Sequence, residues 1–469
     1  NLVIPLEKAL KFVKNYGIME VNINMRLEDY LMKKAETLAE MQTTCRYFKL
    51  DSKEKEAFYV NTAGGRGVDC ITIMQQILQP IDDLYQRILY IGHRGVGKST
   101  DLYMLQQRLS GIFEIANIDV LELWGNSIFT FSDFLCILYK QLLDKYKNHL
   151  TILDRSEYED AMKLWHAVTE VEQVNEHGAE QVVNTEAGIS IKHLLKLVAS
   201  AESTLNFNNG IRERMSYVIQ KNIDDYIIAL NILIDSIEKA IGKPLLVIIE
   251  GIEVMPFNRD TDIFLNHGNF MQKIRLRMII TAPVALHYRT EFNTITDGNI
   301  FTSINCPMLS VTDGKQERDS VRINLLEKIV LKRVDESLID KEALHTVILL
   351  SGGLIRDLMI MLSMAASCCM SGCITVDNIY QAFKDFRNSK FARALMVSGR
   401  IDILLEVLKQ PLGVNFDVGL VDLLQNQYVL ECTDAMRKII HPAVLACLVD
   451  SEIVSAEQFE QHVGVPFMG

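Results

Sequence analysis

The segment at 92–99, with the sequence GHRGVGKS, constrains the fold of this chain more than any other feature. It fits the pattern G-x-x-x-x-G-K-[ST], in which glycines let backbone N–H groups face a phosphate. The apolar run RILYIG leads into this loop, and the helical run TDLYMLQQRL follows it. This succession of strand, loop and helix predicts an α/β fold with a parallel sheet and a phosphate at the helix start.

The loop also indicates which residues contact the ligand. We expect ATP to be bound by Gly92, His93, Arg94, Gly95, Val96, Gly97, Lys98, Ser99 and Thr100. Lys98 is expected to contact the β and γ phosphates, the Ser99 hydroxyl to bind Mg²⁺, and Thr100 to lie near the α phosphate. The alternative is a glycine-rich turn with a solvated lysine. The sequence therefore predicts ATP and Mg²⁺ as ligands.

Two glutamates follow a second apolar run, LLVIIEGIE. A P-loop needs a further carboxylate at the carboxyl end of a neighbouring buried strand. We expect Glu250 to bind Mg²⁺ through water and Glu253 to activate the attacking water. The alternative is that both are exposed acids just beyond a strand. Thr281 ends the next run, RLRMIITA, where it is expected either to sense the γ phosphate or only to make a strand-end hydrogen bond.

The rest of the chain is divided by changes in hydrophobic periodicity. Its 469 residues suggest two to four domains. The pattern predicts an N-terminal helical arm (1–57), a P-loop core (58–310) with a helical insertion at about 148–240, a helical lid (311–395) and a winged helix (396–469). Leu27, Leu31, Leu38 and Met41 lie near helical spacing in the arm.

Composition indicates the cellular setting. No apolar run approaches the length of a membrane span, and the lysine-containing N-terminus resembles an amphipathic helix more than a signal sequence. The nine cysteines are scattered, which favours a reducing, cytoplasmic location. Cys368, Cys369 and Cys373 are expected to be buried packing residues and not redox groups.

Charge argues against nucleic acid as the main partner. The net charge is −12, whereas sequence-independent DNA binding requires many Lys or Arg contacts with phosphate. The second helix of the predicted winged helix carries Asp417 and Asp422, and its nearby cations are Arg437 and Lys438. We therefore favour a protein-contacting or switching role for this domain, with DNA binding as the less favoured alternative.

The order of several short segments resembles a known family. GHRGVGKST, VIIEGIE, ITAPVAL, SGGLIRDL and ITVDNIYQAF, followed by a winged helix, are similar to bacterial AAA+/STAND-type P-loop ATPases, relatives of the origin-recognition, transposition-regulator and KAP-like groups. The resemblance spans roughly residues 58–450. It implies an ATP-driven switch that forms homo-oligomers or controls a protein effector, in some members within anti-phage or mobile-element systems.

The resemblance also bears on individual residues. Arg356 matches the lid arginine that reaches the γ phosphate; the alternative is a pair with Asp357 or with a neighbouring helix. The family commonly has Asp where Glu250 stands, and the extra methylene moves the carboxylate by about 1 Å, which is enough to slow turnover. The arginine finger stays open among Arg275, Arg277 and Arg289.

Three functions are consistent with these features. The first is an ATP-dependent switch acting with itself or an effector. The second is a DNA-engaging ATPase, either a loader or a transposition regulator. The third is a nucleotide-binding scaffold with negligible hydrolysis.

Overall fold

The structure is a computed structural model. It describes residues 34–46, 50–80, 86–124, 129–149, 219–220, 223–254, 263, 267–289, 292–298, 300–312, 318–370, 372–392, 400–412, 418–432 and 437–469. Most of the predicted insertion and the start of the arm, including Leu27 and Leu31, lie outside these ranges, as does Asp417.

Helices and strands are numbered here in chain order. They are α1 (Leu38–Thr44), α2 (Ser52–Ala57), α3 (Ala63–Arg66), α4 (Cys70–Leu78), β1 (Arg87–Ile91), α5 (Lys98–Leu109), β2 (Glu114–Asp119), α6 (Val120–Trp124), α7 (Phe131–Tyr146), α8 (Ile223–Ile241), β3 (Leu245–Glu250), α9 (Gly268–Met271), β4 (Arg277–Ala282), α10 (Phe292–Asp297), β5 (Thr302–Asn305), α11 (Ser320–Leu331), α12 (Lys341–Leu350), α13 (Ile355–Cys368), α14 (Val376–Arg387), α15 (Ile401–Lys409), α16 (Val418–Gln425), β6 (Val429–Glu431), β7 (Lys438–Ile440), α17 (Pro442–Asp450) and α18 (Ala456–Val463).

The chain groups into two compact units. The sheet unit takes residues 69–306 and 416–426, and the helical unit takes 1–68, 307–415 and 427–469. Both units are therefore assembled from separate stretches of sequence. The domain boundaries expected from periodicity stay predictions.

The sheet unit is built on a parallel sheet of strand order β2-β3-β4-β1-β5. Every residue of β1 and β4 is buried, as expected for strands covered on both faces. On one face α7 and α8 pack into a continuous apolar core with alternate strand residues. On the other side, α4 packs against α5 and β5. The predicted α/β architecture with a parallel sheet is thus confirmed.

Some predicted strands are too long. The apolar run FEIANIDVLEL at 113–123 predicts a single strand, but β2 ends at Asp119 and α6 begins at once. The cause is local, because Asp119 Oδ1 accepts hydrogen bonds from the backbone N–H groups of Leu121 and Glu122 and so caps the helix. The run FTSINCPML predicts a last strand over 301–309, but the strand is limited to β5.

In the helical unit, the region expected to form a lid contains α11–α14, with α13 packed on α14 and on α1. The tail shows the expected order of helix, helix, two antiparallel strands and helix. However, α16 groups with the sheet unit, whereas α15, the β6–β7 hairpin and α17 group with the helical unit. The lid and winged-helix assignments stay predictions.

The cysteine prediction is partly wrong. Cys368 is exposed, and Cys369 and Cys373 are only half-buried. They lie where α13 ends and the chain turns toward α14, so the apolar run overstated how far the buried helix extends.

Candidate functional site

The loop between β1 and α5 has the backbone shape that its glycines allow. Gly95 and Gly97 have φ of +89° and +105°, in the left-handed region that other residues rarely adopt. A side chain at Gly92 would place its Cβ 2.7 Å from the backbone oxygen of Cys306, beside β5. The glycine positions of the motif are therefore required by this conformation.

The start of α5 presents hydrogen-bond donors of the kind that a phosphate needs. Among the described residues, the backbone N–H groups of Gly97, Lys98 and Ser99 have no acceptor, as is usual for the first turn of a helix. A helix of 12 residues adds positive potential at this end. The donors thus fit the nucleotide phosphates expected from the sequence.

Lys98 is buried at the centre of the site, with only 4% of its surface exposed. Its ammonium donates to the backbone oxygens of Gly92 at 2.8 Å and His93 at 3.0 Å. It also forms an ion pair with Glu253 Oε1 at 3.6 Å. Three oxygens thus surround the ammonium group, which carries three N–H donors.

The other carboxylate oxygen of Glu253 is bound as well. Oε2 accepts hydrogen bonds from the Thr281 hydroxyl at 2.5 Å and from the Gly251 N–H at 3.1 Å. Burial by itself favours the neutral acid, but the Lys98 charge and the Thr281 hydroxyl outweigh it, so the pKa of Glu253 is lowered. Glu253 is therefore a carboxylate at neutral pH.

Strand order explains how these groups meet, and it corrects one expectation. The strand carrying the glutamates was expected to lie beside β1, but β4 separates β3 from β1. Thr281, at the end of β4 and fully buried, occupies the position between Lys98 and the turn after β3. Because Glu253 lies beyond the end of β3, its side chain reaches across β4 to the loop.

Gly251, which the sequence analysis did not single out, permits this turn. Its φ is +96°, and an added Cβ would lie 2.8 Å from the backbone nitrogen of Leu121 and 3.0 Å from Asp119 Oδ1. Only glycine fits so close to the end of β2. A glycine directly after a buried strand was the available signal.

Ser99 and Glu250 are the residues expected at Mg²⁺. Ser99 lies in the first turn of α5, and Glu250 is the last residue of β3, in register with Asp119. Both supply oxygen ligands of the type that Mg²⁺ prefers. In the part of the chain that the structure describes, no group of three or more His, Cys, Asp or Glu side chains forms a metal cage. The donor set fits a metal bound by few protein ligands together with phosphates.

A further buried carboxylate lies behind the loop. Asp101 Oδ2 accepts a hydrogen bond from the Tyr90 hydroxyl at 2.7 Å, and Asp101 is only 5% exposed. Tyr90 belongs to β1 and Asp101 to the first turn of α5. This contact ties the helix to its strand, and local sequence gave no indication of it.

Arg356 lies near the start of α13 in the helical unit, half-buried. Its neighbour Asp357 pairs with Lys390 at 2.9 Å and with His441 Nε2 at 2.9 Å, and is 1% exposed. The expected role of Arg356 at the γ phosphate stays a prediction.

Two of the candidate finger arginines have structural partners. Arg277 begins β4, at the opposite end of the strand from Thr281, and binds Glu238 at 3.2 Å. Arg275 binds Asp235 at 3.1 Å. These pairs attach the start of β4 and the residues just before it to α8, at the end of the strands away from the loop.

The cations considered for DNA are buried. Arg437 and Lys438 are each 2% exposed. Arg437 donates to the hydroxyl and the backbone oxygen of Thr312. Lys438 stands opposite Glu431 in the β6–β7 hairpin. The two cations near the wing are therefore buried in the helical unit, which is consistent with the lower preference given to DNA binding.

None of the described helices is long and apolar enough to cross a membrane. The sequence matches no protein-family model and no curated protein. Among solved structures, the chain is similar to the Walker-type ATPase of Pyrococcus abyssi, with 11% identity, a TM-score of 0.41, and coverage of 83% of this chain and 96% of that one. It is also similar to the ORC1 protein of Aeropyrum pernix in complex with DNA, with 9% identity, a TM-score of 0.39, and coverage of 86% and 97%. At such scores the likeness assigns no function.

Proposed function

We propose that this chain binds ATP with Mg²⁺ at the loop 92–99 and hydrolyses it. The observation that carries the proposal is the contact of the buried Lys98 with the ionised Glu253, itself bound by Thr281. A cation for phosphate and a carboxylate for water thus lie side by side, next to the unpaired N–H groups of α5.

Each side chain has a distinct part in this proposal. Gly97, Lys98 and Ser99 bind phosphate oxygens through their N–H groups, and Lys98 adds its charge. Ser99 and Glu250 hold Mg²⁺, which neutralises charge on the phosphates. Glu253 accepts a proton from water, and Thr281 keeps its carboxylate turned toward the loop. Lys98 must share or give up its bond to Glu253 when phosphate enters.

The direct test replaces Lys98 with Ala and compares the variant with Lys239→Ala. Lys239 is an exposed lysine of α8 and leaves the loop intact. We expect Lys98→Ala to lose ATP binding or phosphate release while unfolding cooperatively like the wild type. Lys239→Ala should keep both ATP binding and phosphate release. Equal affinity and turnover in Lys98→Ala would exclude the proposed phosphate site.

We further propose that the protein is a cytoplasmic switch that assembles with itself or with a protein effector. Support comes from the sequence resemblance, in which Arg356 contacts the γ phosphate and so distinguishes ATP from ADP. Sedimentation with ATP should detect assembly in the wild type, with Lys341→Ala as a charge-matched control, and Arg356→Ala should lose the response. No ATP-linked change of mass in the wild type would contradict the switch. An anti-phage or mobile-element setting is proposed only on the same resemblance.

A scaffold with negligible hydrolysis is the second candidate. It is favoured by one observation, namely that both carboxylate oxygens of Glu253 are already bound. A DNA-engaging ATPase is disfavoured because Arg437 and Lys438 are buried. A salt titration of duplex DNA binding distinguishes the DNA-engaging ATPase from the switch and the scaffold, since tight and steeply salt-dependent binding is expected only of the DNA-engaging ATPase.

A further inference from the structure

The helix α16 comes from late in the chain but belongs to the sheet unit. It packs against the single helical turn Val284–Tyr288, which follows β4. Leu420 and Leu424 are 0% and 1% exposed. Because its apolar side chains are buried, the helix is held firmly on the sheet unit.

The last residue of α16 contacts the turn that carries the proposed base. Gln425 Nε2 donates a hydrogen bond to the backbone oxygen of Glu253 at 3.3 Å, across 172 positions of sequence. The turn is otherwise closed locally, by the Val254 N–H bound to the Gly251 oxygen at 3.3 Å. Glu253 is thus held at its backbone by Gln425 and at its carboxylate by Lys98 and Thr281.

We propose that Gln425 is a positioning residue for Glu253, so that α16 sets the rate of ATP hydrolysis and not the affinity for ATP. This inference rests on the proposed function, in which Glu253 activates water. In this role Gln425 acts through the main chain of Glu253. A general base misplaced by about 1 Å loses a large part of its effect, whereas phosphate binding depends on the separate donors of α5.

The experiment uses the whole chain and three substitutions. Gln425→Met keeps the length of the side chain but removes its N–H donor. Gln425→Lys restores a donor of similar reach. Asn426→Ala is the matched control, because Asn426 is the exposed amide just after α16 and its Nδ2 donates to the backbone oxygen of Asp422 in the last turn of that helix.

We expect kcat of Gln425→Met to fall about tenfold, with KM and the Kd for ATP within about twofold of wild type and an unchanged melting temperature. Gln425→Lys should recover most of kcat, and Asn426→Ala should behave as wild type. Wild-type kcat in Gln425→Met would overturn the inference. So would a lowered melting temperature with no recovery in Gln425→Lys, which is the behaviour of a merely structural contact.

Glu253→Gln, assayed in parallel, separates this inference from the proposed function. If Glu253→Gln hydrolyses ATP at the wild-type rate, Glu253 is not the base, and both proposals fail. If Glu253→Gln is inactive while Gln425→Met keeps the wild-type rate, only the role of Gln425 fails.

Discussion

Replacing Glu253 with Gln should separate ATP binding from ATP hydrolysis. The substitution keeps the size of the side chain and an oxygen that can accept from Thr281, but it removes the charge 3.6 Å from Lys98. Loss of a positioned general base typically slows a reaction by about 10²- to 10⁴-fold. We therefore expect ATP to stay bound and almost uncleaved.

The same change should tighten ATP binding. At an effective dielectric constant of about 20, unit charges 3.6 Å apart attract by about 4 to 5 kcal/mol. The Glu253 side chain is 11% exposed, and Lys98 keeps its two carbonyl partners. About 2 kcal/mol of this attraction between Lys98 and Glu253 therefore opposes the binding of phosphate to Lys98. Removing this competition should lower the Kd for ATP by a factor of about 30.

Titration calorimetry gives the affinity and single-turnover phosphate release gives the rate. Glu122→Gln is the control, because it removes one exposed negative charge on α6 in the same unit. Phosphate release at the wild-type rate would refute Glu253 as base. An unchanged Kd with slow release would refute only the competition between Glu253 and phosphate for Lys98.

Three further substitutions test the metal site and the electrostatics of the helical unit. Glu250→Asp should preserve or raise the steady-state rate of phosphate release, since it introduces the shorter carboxylate that is common in the ATPases that the sequence resembles. A rate below about one tenth of wild type would contradict this. Burial raises the pKa of Glu431 from 4.5 to about 7, although the charge of Lys438 opposes the shift. The protonated Glu431 side chain therefore favours the folded state at low pH, and this stabilisation is lost as pH rises from 4.5 through 7. Glu431→Gln should avoid this loss, because its side chain does not titrate. Denaturant unfolding should show that the free energy of unfolding of the variant, minus that of the wild type, rises by up to about 3 kcal/mol between pH 5 and pH 8. A difference that does not vary with pH would contradict the raised pKa. Asp357→Asn should lower the free energy of unfolding by about 3 kcal/mol at pH 7, because a buried charge partner is removed. This penalty should shrink as pH falls from 3.8 through the lowered pKa of Asp357, about 2. Equal stability of variant and wild type at pH 7 would contradict this.

The sequence predicted those parts of the molecule in which neighbouring residues carry the information. The P-loop, the buried strands and the glutamates after β3 are local patterns, because strand, turn and helix each depend on adjacent side chains. The ionised pair of Lys98 and Glu253 follows from two such patterns once parallel strands bring their carboxyl ends to one edge.

What the sequence did not predict depends on contacts between distant residues. Arg437 is an arginine in a polar stretch, and only its packing against Thr312 makes it a buried side chain. Gln425 is one amide among several, and it gains a role only because α16 lies against the turn after β4. The strand order was likewise not readable, because nothing in β3 indicates which strand it will pair with.

The assembly of the sheet unit from two separated stretches has a consequence for biosynthesis. A ribosome delivers β1–β5 first, but α16 emerges only after more than one hundred further residues, which belong to the helical unit. Until then the side chains of Val284 and Leu286, buried in the finished protein at 6% and 0% exposure, lack the helix that packs on their turn. The sheet unit of the nascent chain therefore stays incomplete until residue 426 has been made, and a protein cut after residue 306 should need chaperones to stay in solution.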